Sequence, residues 1–410
     1  MKERELRLTE KNVLFVSWQG GLGHVTRDLA IVKKLHELNS EIQVHWLAHP
    51  IASKLIEDSG ERLLPESRLS ADYNEAGAQA TVGFKLNLMN FVKFSDKMFR
   101  QNAELFFREI APKYDFDLIV GDESFEIVMA VSEGKAKLKC DMIMIEDFIA
   151  MASVSSNPLE KLGVYRLNRH KVSDIPRSRD LRITHTFVGE PLDIPDKKIG
   201  FLLPNQRKFA EQYYEFLGYI IRFDPSEYVD KAKVRAKLGY GREPLIVCAT
   251  GGTAAGMELL EKCGKAYILL RKEIPSLRMV CVCGELYGRK SPELPTGVEL
   301  HSIIPNLYEH YAACDLAVVV GGMTTTIELT ALRRPFIYFP LENQFDQQIY
   351  VAARLARLGA GIKMRYSQTT PEVLAQTIKA NINQEAKWKP IRTDGAKTAA
   401  ELVRSHLSKV

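Results

Sequence analysis

His24 ends the glycine-rich turn QGGLGH, which contains Gly21 and Gly23 and directly follows the apolar run KNVLFVS at residues 11–17. An imidazole at the start of a helix can accept a proton from a hydroxyl, and the unpaired amides around it favour an anion. Two further turns have the same character. Residues 250–256, TGGTAAG, contain Gly252 and Thr253, and residues 320–326, VGGMTTT, contain Gly322, Thr324 and Thr325. Successive threonines are poor helix formers but good N-terminal caps, so hydroxyls and amides converge on one spot. Glu328 follows within the same helical stretch. These residue types suit a base acting on a hydroxyl and a diphosphate held at helix starts without a metal.

Several other chemistries are excluded by the same stretches. The dinucleotide fingerprint needs a third glycine after Gly21 and Gly23, but His24, Val25 and Thr26 follow instead. The next strand ends in Ala48 and His49, with no carboxylate for a ribose diol, so no nicotinamide cofactor is expected. No G-x-x-x-x-G-K-[ST] run occurs. The one DxD, Asp115 and Asp117, lies before a strand rather than at its C-terminal end, and no metal site is assigned. The six cysteines form no CxxC pair, which removes zinc and redox-motif readings. Most of them lie in apolar runs, as expected of reduced core thiols in a cytoplasmic protein.

A chain of 410 residues with 46% hydrophobic and 26% charged side chains is ordinary globular composition for about two domains. The run at 11–17, the helical spacing of Leu29, Val32, Leu35 and Leu38, and the run at 42–48 read as strand, helix, parallel strand. The pattern restarts at Pro244, with strand-like runs at 279–283, 316–320 and 336–339. The expected division is therefore 1–220, 221–385 and a C-terminal helix, 386–410, packing across the seam. The net charge of +5 equals the excess in residues 161–182, where seven Lys/Arg meet two Asp. A general nucleic-acid binder would spread its basic excess more widely, and no nucleic-acid motif occurs. No apolar run approaches the roughly 18 residues of a membrane span.

The segment GGMTTTIELTALRRPFIYFPLENQFDQQ resembles the donor-binding segment of GT-B nucleotide-sugar glycosyltransferases. The resemblance is carried by Gly322, Thr325, Glu328, Pro335, Pro340, Gln347 and Gln348 in order, and GGLGHVTRDLA resembles the same superfamily's first loop. The Glu-to-Gln spacing is most similar to the bacterial N-acetylglucosaminyltransferase of peptidoglycan-precursor synthesis. The resemblance implies two doubly wound α/β, Rossmann-like domains facing across a cleft, the first binding the acceptor and the second the donor. It implies Glu328 on the ribose of a uridine nucleotide, with Thr253, Thr324, Thr325 and the Gly252 and Gly322 turns on the diphosphate. Gln347, with Asp346 and Gln348, would face the donor sugar, and Ile303 and Ile304 would read the base. His24 matches the catalytic histidine and Asp122, in DLIVGDES, the aspartate paired with it. Glu146 stands where the peptidoglycan enzyme has a His-Glu pair, which makes it the acceptor-side candidate. Val320 and Tyr350 replace a histidine and an asparagine common in relatives.

The expected activity is metal-independent, inverting transfer of a sugar from a UDP-sugar to a hydroxyl, with no further cofactor. A UDP-sugar epimerase of the same fold and a non-catalytic sugar-nucleotide-binding subunit are the alternatives. The stretch 84–107 places Phe84, Leu88, Phe91, Val92, Met98 and Phe99 at helical spacing with Lys85, Lys93, Lys97 and Arg100 between them. That stripe suits a core face and the 161–182 cluster a solvated one; the alternative for both is an anionic membrane surface beside a lipid-linked acceptor.

Overall fold

The computed structural model describes residues 11–18, 22–251, 256–284, 290–382 and 384–409. They form two compact units. The first comprises residues 1–76, 92–222 and 392–410, and the second 77–91 and 223–391. Against the expected boundary at 220, the second unit takes in residues 77–91, and the first takes the C-terminal helix.

Seven parallel strands make the sheet of the first unit: β1 (Asn12–Val16), β2 (Gln43–Leu47), β3 (Arg62–Leu63), β4 (Leu118–Asp122), β5 (Asp141–Glu146), β6 (Ile183–Val188) and β7 (Tyr214–Gly218), ordered 3-2-1-4-5-6-7. Strands covered on both faces read as continuous apolar runs, which is why KNVLFVS and DMIMIE lack alternation. Leu22–Leu38 forms α1, which buries Val25, Ala30, Ile31, Val32 and Leu35. The same face buries Arg27 and Asp28, two charges that no apolar spacing would place there. The C-terminal helix, Gly395–Leu407, lays Ala396, Ala399, Ala400, Val403 and Leu407 into this core. A Cβ on Gly395 would stand 2.7 Å from the Tyr219 backbone, so only glycine allows that approach.

The second unit has six parallel strands: β8 (Leu245–Ala249), β9 (Arg278–Val282), β10 (Val298–His301), β11 (Leu316–Val320), β12 (Phe336–Phe339) and β13 (Ile362–Lys363), ordered 10-9-8-11-12-13. All six cysteines of the chain are buried and free of disulfides. The stretch expected as one helical stripe from Phe84 onward divides in two. Thr81–Val82 and Lys85–Leu86 form a hairpin, and a helix begins only at Leu88, running to Glu104 and on through a π-helical turn, Leu105–Ile110. Phe84 stacks on Tyr366 at 4.4 Å, and Leu86 N donates to Glu342 O, so the hairpin is sewn to the second unit. No described helix is long and apolar enough to cross a membrane.

Candidate functional site

In a doubly wound sheet, ligands gather beyond the C-terminal ends of the strands where strand order reverses. In the first unit that point lies between β1 and β4. Both chemical residues singled out there meet it: His24 sits in the first turn of α1, and Asp122 is the last residue of β4. His24 Nδ1 lies 3.1 Å from Asp122 Oδ1; the carboxylate side chain is 1% exposed and the imidazole 19%. Gly23 lies in the same helical turn, whereas Gly21 falls outside the described residues.

A third group joins the pair. Arg27 lies one turn after His24, on the same face of α1. Its Nε and Nη2 donate to Asp122 Oδ2 and Oδ1 at 3.1 and 2.5 Å, its Nη1 donates to Asp147, and Nη2 stands 3.0 Å from His24 Nδ1. Asp28 accepts from Ser17 Oγ, and Glu123 Oε1 accepts from Asp147 N at 3.4 Å. Glu123 has φ +52°, a strained backbone for a long side chain directly after the aspartate. Burial disfavours the imidazolium, but Asp122 outweighs it and pushes His24 up to about 9. Burial also works against charge on Asp122, yet Arg27 and His24 hold it below the usual carboxylate range. Burial pushes Glu123 up to about 8 and Asp28 well above its ordinary value. Arg27 thus joins Asp122 and Asp147 in one buried ion cluster beside His24. Beside it, Trp18 stacks on Tyr73 at 4.4 Å with its ring centre 6.3 Å from that of His24.

Glu146 makes no hydrogen bond to this pair. It is buried, and its oxygens meet Lys171 Nζ at 3.1 Å and His185 Nδ1 at 3.3 Å. Lys171 pulls its carboxyl below the usual range despite burial. Asp117 is likewise committed, to Lys11 at 2.7 Å and the Asn12 amide at 2.8 Å, at the N-terminal end of the sheet.

In the second unit the order reverses between β8 and β11, and the remaining glycine turns leave those two strands. Gly251 follows β8 with φ +87°; Gly252 and Thr253 lie outside the described residues. Gly321 leads from β11 into α6 (Met323–Ala331; α2–α5 are the helices Leu88–Glu104, Phe125–Ser132, Pro158–Asp174 and Met257–Glu273). A Cβ on Gly321 would lie 2.9 Å from Pro340 Cα, whereas Gly322, which caps α6, has nothing within 4 Å. Thr326 Oγ1 bonds back to Gly322 O at 2.8 Å, while the Thr325 hydroxyl has no hydrogen-bond partner among the described residues. Thr324 and Thr325 are half-buried, and Glu328 is 3% exposed on the same short helix.

Gln347 Oε1 accepts from Leu341 N at 2.8 Å, which leaves its amide N–H groups to donate. Gln348 Nε2 donates to the carbonyls of Pro340 and Leu341, both at 3.1 Å, so its amide nitrogen holds the loop. Asp346 opens a π-helical turn, Asp346–Val351, a distortion common at functional sites. Ile303, 44% exposed, and Ile304, packed on the core, follow β10, two strands from the reversal point. At about 4.8 Å per strand, that is roughly 10 Å, the reach from a diphosphate to a nucleobase.

The sequence singled out His24 and Asp122 but missed Arg27, Asp147 and Glu123. A signal for Arg27 was present in HVTRDLA, where the Arg27–Asp28 pair interrupts the apolar face of α1.

Residues 246–406 match the glycosyltransferase family 28 C-terminal domain. An uncharacterized glycosyltransferase of Methanosarcina acetivorans is 33% identical over 390 residues, covering 92% of this chain and 88% of that one. The UDP-N-acetylglucosamine–N-acetylmuramyl-(pentapeptide) pyrophosphoryl-undecaprenol N-acetylglucosamine transferase of Symbiobacterium thermophilum is 27% identical over 157 residues, 37% of this chain and only 41% of its own length. The crystal structure of the glycotransferase of kitacinnamycin superposes with a TM-score of 0.56 at 16% identity, covering 98% of this chain and 95% of that one, which shows a common fold. With two doubly wound α/β domains and a full-length relative at this identity, the chain belongs to the GT-B glycosyltransferases, in the superfamily of the peptidoglycan N-acetylglucosaminyltransferase and the UDP-glycosyltransferases.

Proposed function

We propose that the protein is an inverting glycosyltransferase that moves a sugar from a UDP-sugar to an acceptor hydroxyl without a metal ion. The observation that carries this reading is the His24–Asp122 contact at the reversal point of the first unit. With Nδ1 turned to Asp122, Nε2 is left to take the acceptor proton. The acceptor oxygen attacks the anomeric carbon from the face opposite the diphosphate. The bond from that carbon to the β-phosphate oxygen breaks, and UDP leaves with the electron pair. A single displacement of this kind inverts the anomeric centre. Asp122 stabilises the imidazolium as it forms. On the second unit, Glu328 holds the ribose, the Gly322 amide and the Thr324 and Thr325 hydroxyls hold the diphosphate, and Gln347 holds the sugar. Helix starts and hydroxyls stabilise the departing diphosphate without a cation.

The acceptor we propose is lipid-linked and reached from the cytoplasmic side, where six free thiols are at home. The 161–182 segment supports this reading. Helix α4 exposes Leu159, Leu162 and Leu167, at 66%, 46% and 41%, beside Arg166 and Arg169. Lys171, Arg177 and Arg182 of the same segment are held in ion pairs, while Lys161, Arg166, Arg169 and Arg179 have none among the described residues.

The test is release of UDP from a panel of UDP-sugars, with and without polyprenyl-phosphate and soluble hydroxyl acceptors. Release that depends on acceptor, with His24→Ala lowering kcat by ~10²–10⁴ and leaving donor affinity unchanged, is expected. Interconversion of the UDP-sugar without acceptor would establish the epimerase reading instead, and unchanged turnover in His24→Ala would remove the base.

A further inference from the structure

We propose that Arg27 is the positioning residue of the His24–Asp122 pair: its guanidinium binds both oxygens of Asp122, braces itself on Asp147 and lies against Nδ1 of His24. The proposal rests on the reading of His24 as base and adds what sets that base.

A carboxylate beside a histidine can do two opposing things. It fixes the ring and its tautomer, but a full negative charge in a buried place also traps the imidazolium, which is no base. Asp122 is buried, and His24 is its hydrogen-bond partner through a single oxygen. Arg27 occupies both oxygens of that carboxylate and so shares its charge with His24. The fork geometry of a guanidinium fixes the plane of the carboxylate, and with it the direction of the imidazole. The positive charge 3.0 Å from Nδ1 also opposes protonation of the ring directly.

The groups that face this centre come from four elements. Arg27 and Asp28 come from α1, Ser17 from the end of β1, Asp122 and Glu123 from the end of β4, and Asp147 from the end of β5. Asp28 and Glu123 are pushed toward their neutral forms by burial, so Asp122 supplies the main negative charge beside His24 and Arg27 opposes it. Removing Arg27 leaves Asp122 facing the imidazole with its charge no longer shared. The sign is therefore fixed: His24 should hold its proton to higher pH.

The test follows the His24 imidazole by NMR in the full-length protein labelled at histidine, with the resonance assigned by its loss in His24→Gln. In Arg27→Gln the His24 titration should move upward by about one unit or more, since a charge at this distance is worth at least that much. Arg27→Lys, which keeps the charge but loses the fork, should move it less while broadening or shifting the ring-nitrogen signals that report the tautomer. In turnover, Arg27→Gln should move the acid limb of the kcat profile to higher pH and lower kcat near neutrality, with KM for the donor unchanged. A folded Arg27→Gln whose His24 titrates as in the wild type would overturn the proposal. If Arg27→Gln fails to fold, an Arg27→Lys protein with wild-type ring-nitrogen signals and titration does the same. The titration needs neither donor nor acceptor, so its outcome is separate from the question of sugar transfer.

Discussion

A carboxylate one turn into a short helix can serve the helix or a ligand, and Glu328 is where that choice is testable. Its side chain is almost wholly buried, so a ligand reaching it must be held close to α6. As a ribose ligand it would accept two hydrogen bonds from a diol, and its loss should weaken UDP binding by about 1.5–3 kcal/mol. As a helix-end charge it would act on stability and leave UDP affinity alone. Glu328→Gln separates the two, because it keeps shape and burial while weakening acceptance. Titration calorimetry with UDP should show a weakening of about tenfold or more with little change in melting temperature. Wild-type UDP affinity in that variant would remove the ribose contact. At this scale the sequence exposed residue types well. It marked His24 and Glu328, because rare chemistry beside glycine turns stands out, and Asp122 through the family resemblance. Arg27 was missed because its role depends on which face of α1 is buried, and the apolar spacing of Leu29, Val32, Leu35 and Leu38 pointed slightly off that face.

Among the elements, the β11–α6 turn carries the proposed donor half, and its two glycines have different surroundings. Gly321 packs against the Pro340 backbone, where a Cβ would sit 2.9 Å away, and Gly322 faces open space with φ −67°. Backbone cannot yield as a flexible side chain can. Gly321→Ala should therefore cost about 1–3 kcal/mol of stability, read as a lowered denaturation midpoint, and should weaken UDP binding as the turn shifts. Gly322→Ala should leave stability near wild type. If UDP approaches that amide closely, Gly322→Ala will weaken UDP binding without destabilising the protein, and equal affinity would show that the ligand stays clear of it. The same turn explains the two glutamines. The sequence offered Gln347 and Gln348 as an equivalent pair, but the structure gives Gln348 nitrogen to the Pro340 and Leu341 carbonyls and keeps the donors of Gln347 unspent by its Leu341 contact.

For the molecule as a whole, the proposed membrane attachment rests on the charge excess concentrated in one segment. Four exposed cations without ion pairs among the described residues, at about 1 kcal/mol each near an anionic bilayer, together with exposed leucines on α4, would suffice for reversible attachment. Co-sedimentation with phosphatidylglycerol vesicles should be strong at low salt and fall steeply as salt rises. Arg166→Glu with Arg169→Glu should abolish it, whereas Lys171→Gln, which disturbs an internal pair with Glu146, should change stability more than binding. No sedimentation at low salt would remove the membrane reading and favour a soluble acceptor. The stripe at 84–107 enters this picture only in part, because its first aromatic, Phe84, is spent on Tyr366 in the second unit.

Composition and periodicity by themselves determined that the chain is α/β, that it restarts once, and that glycine turns follow leading strands. Those features are local: a buried parallel strand must be apolar throughout, and a strand that feeds a helix over a close ligand must turn on glycine. Which strands become neighbours is not local. Only the tertiary structure put β4 beside β1 and β11 beside β8, and so brought Asp122 to His24 across 98 residues. The buried ion cluster belongs to the same class of fact. A charge survives burial only where partners from other elements meet it, and for Arg27 those partners, Asp122 and Asp147, lie 95 and 120 residues away.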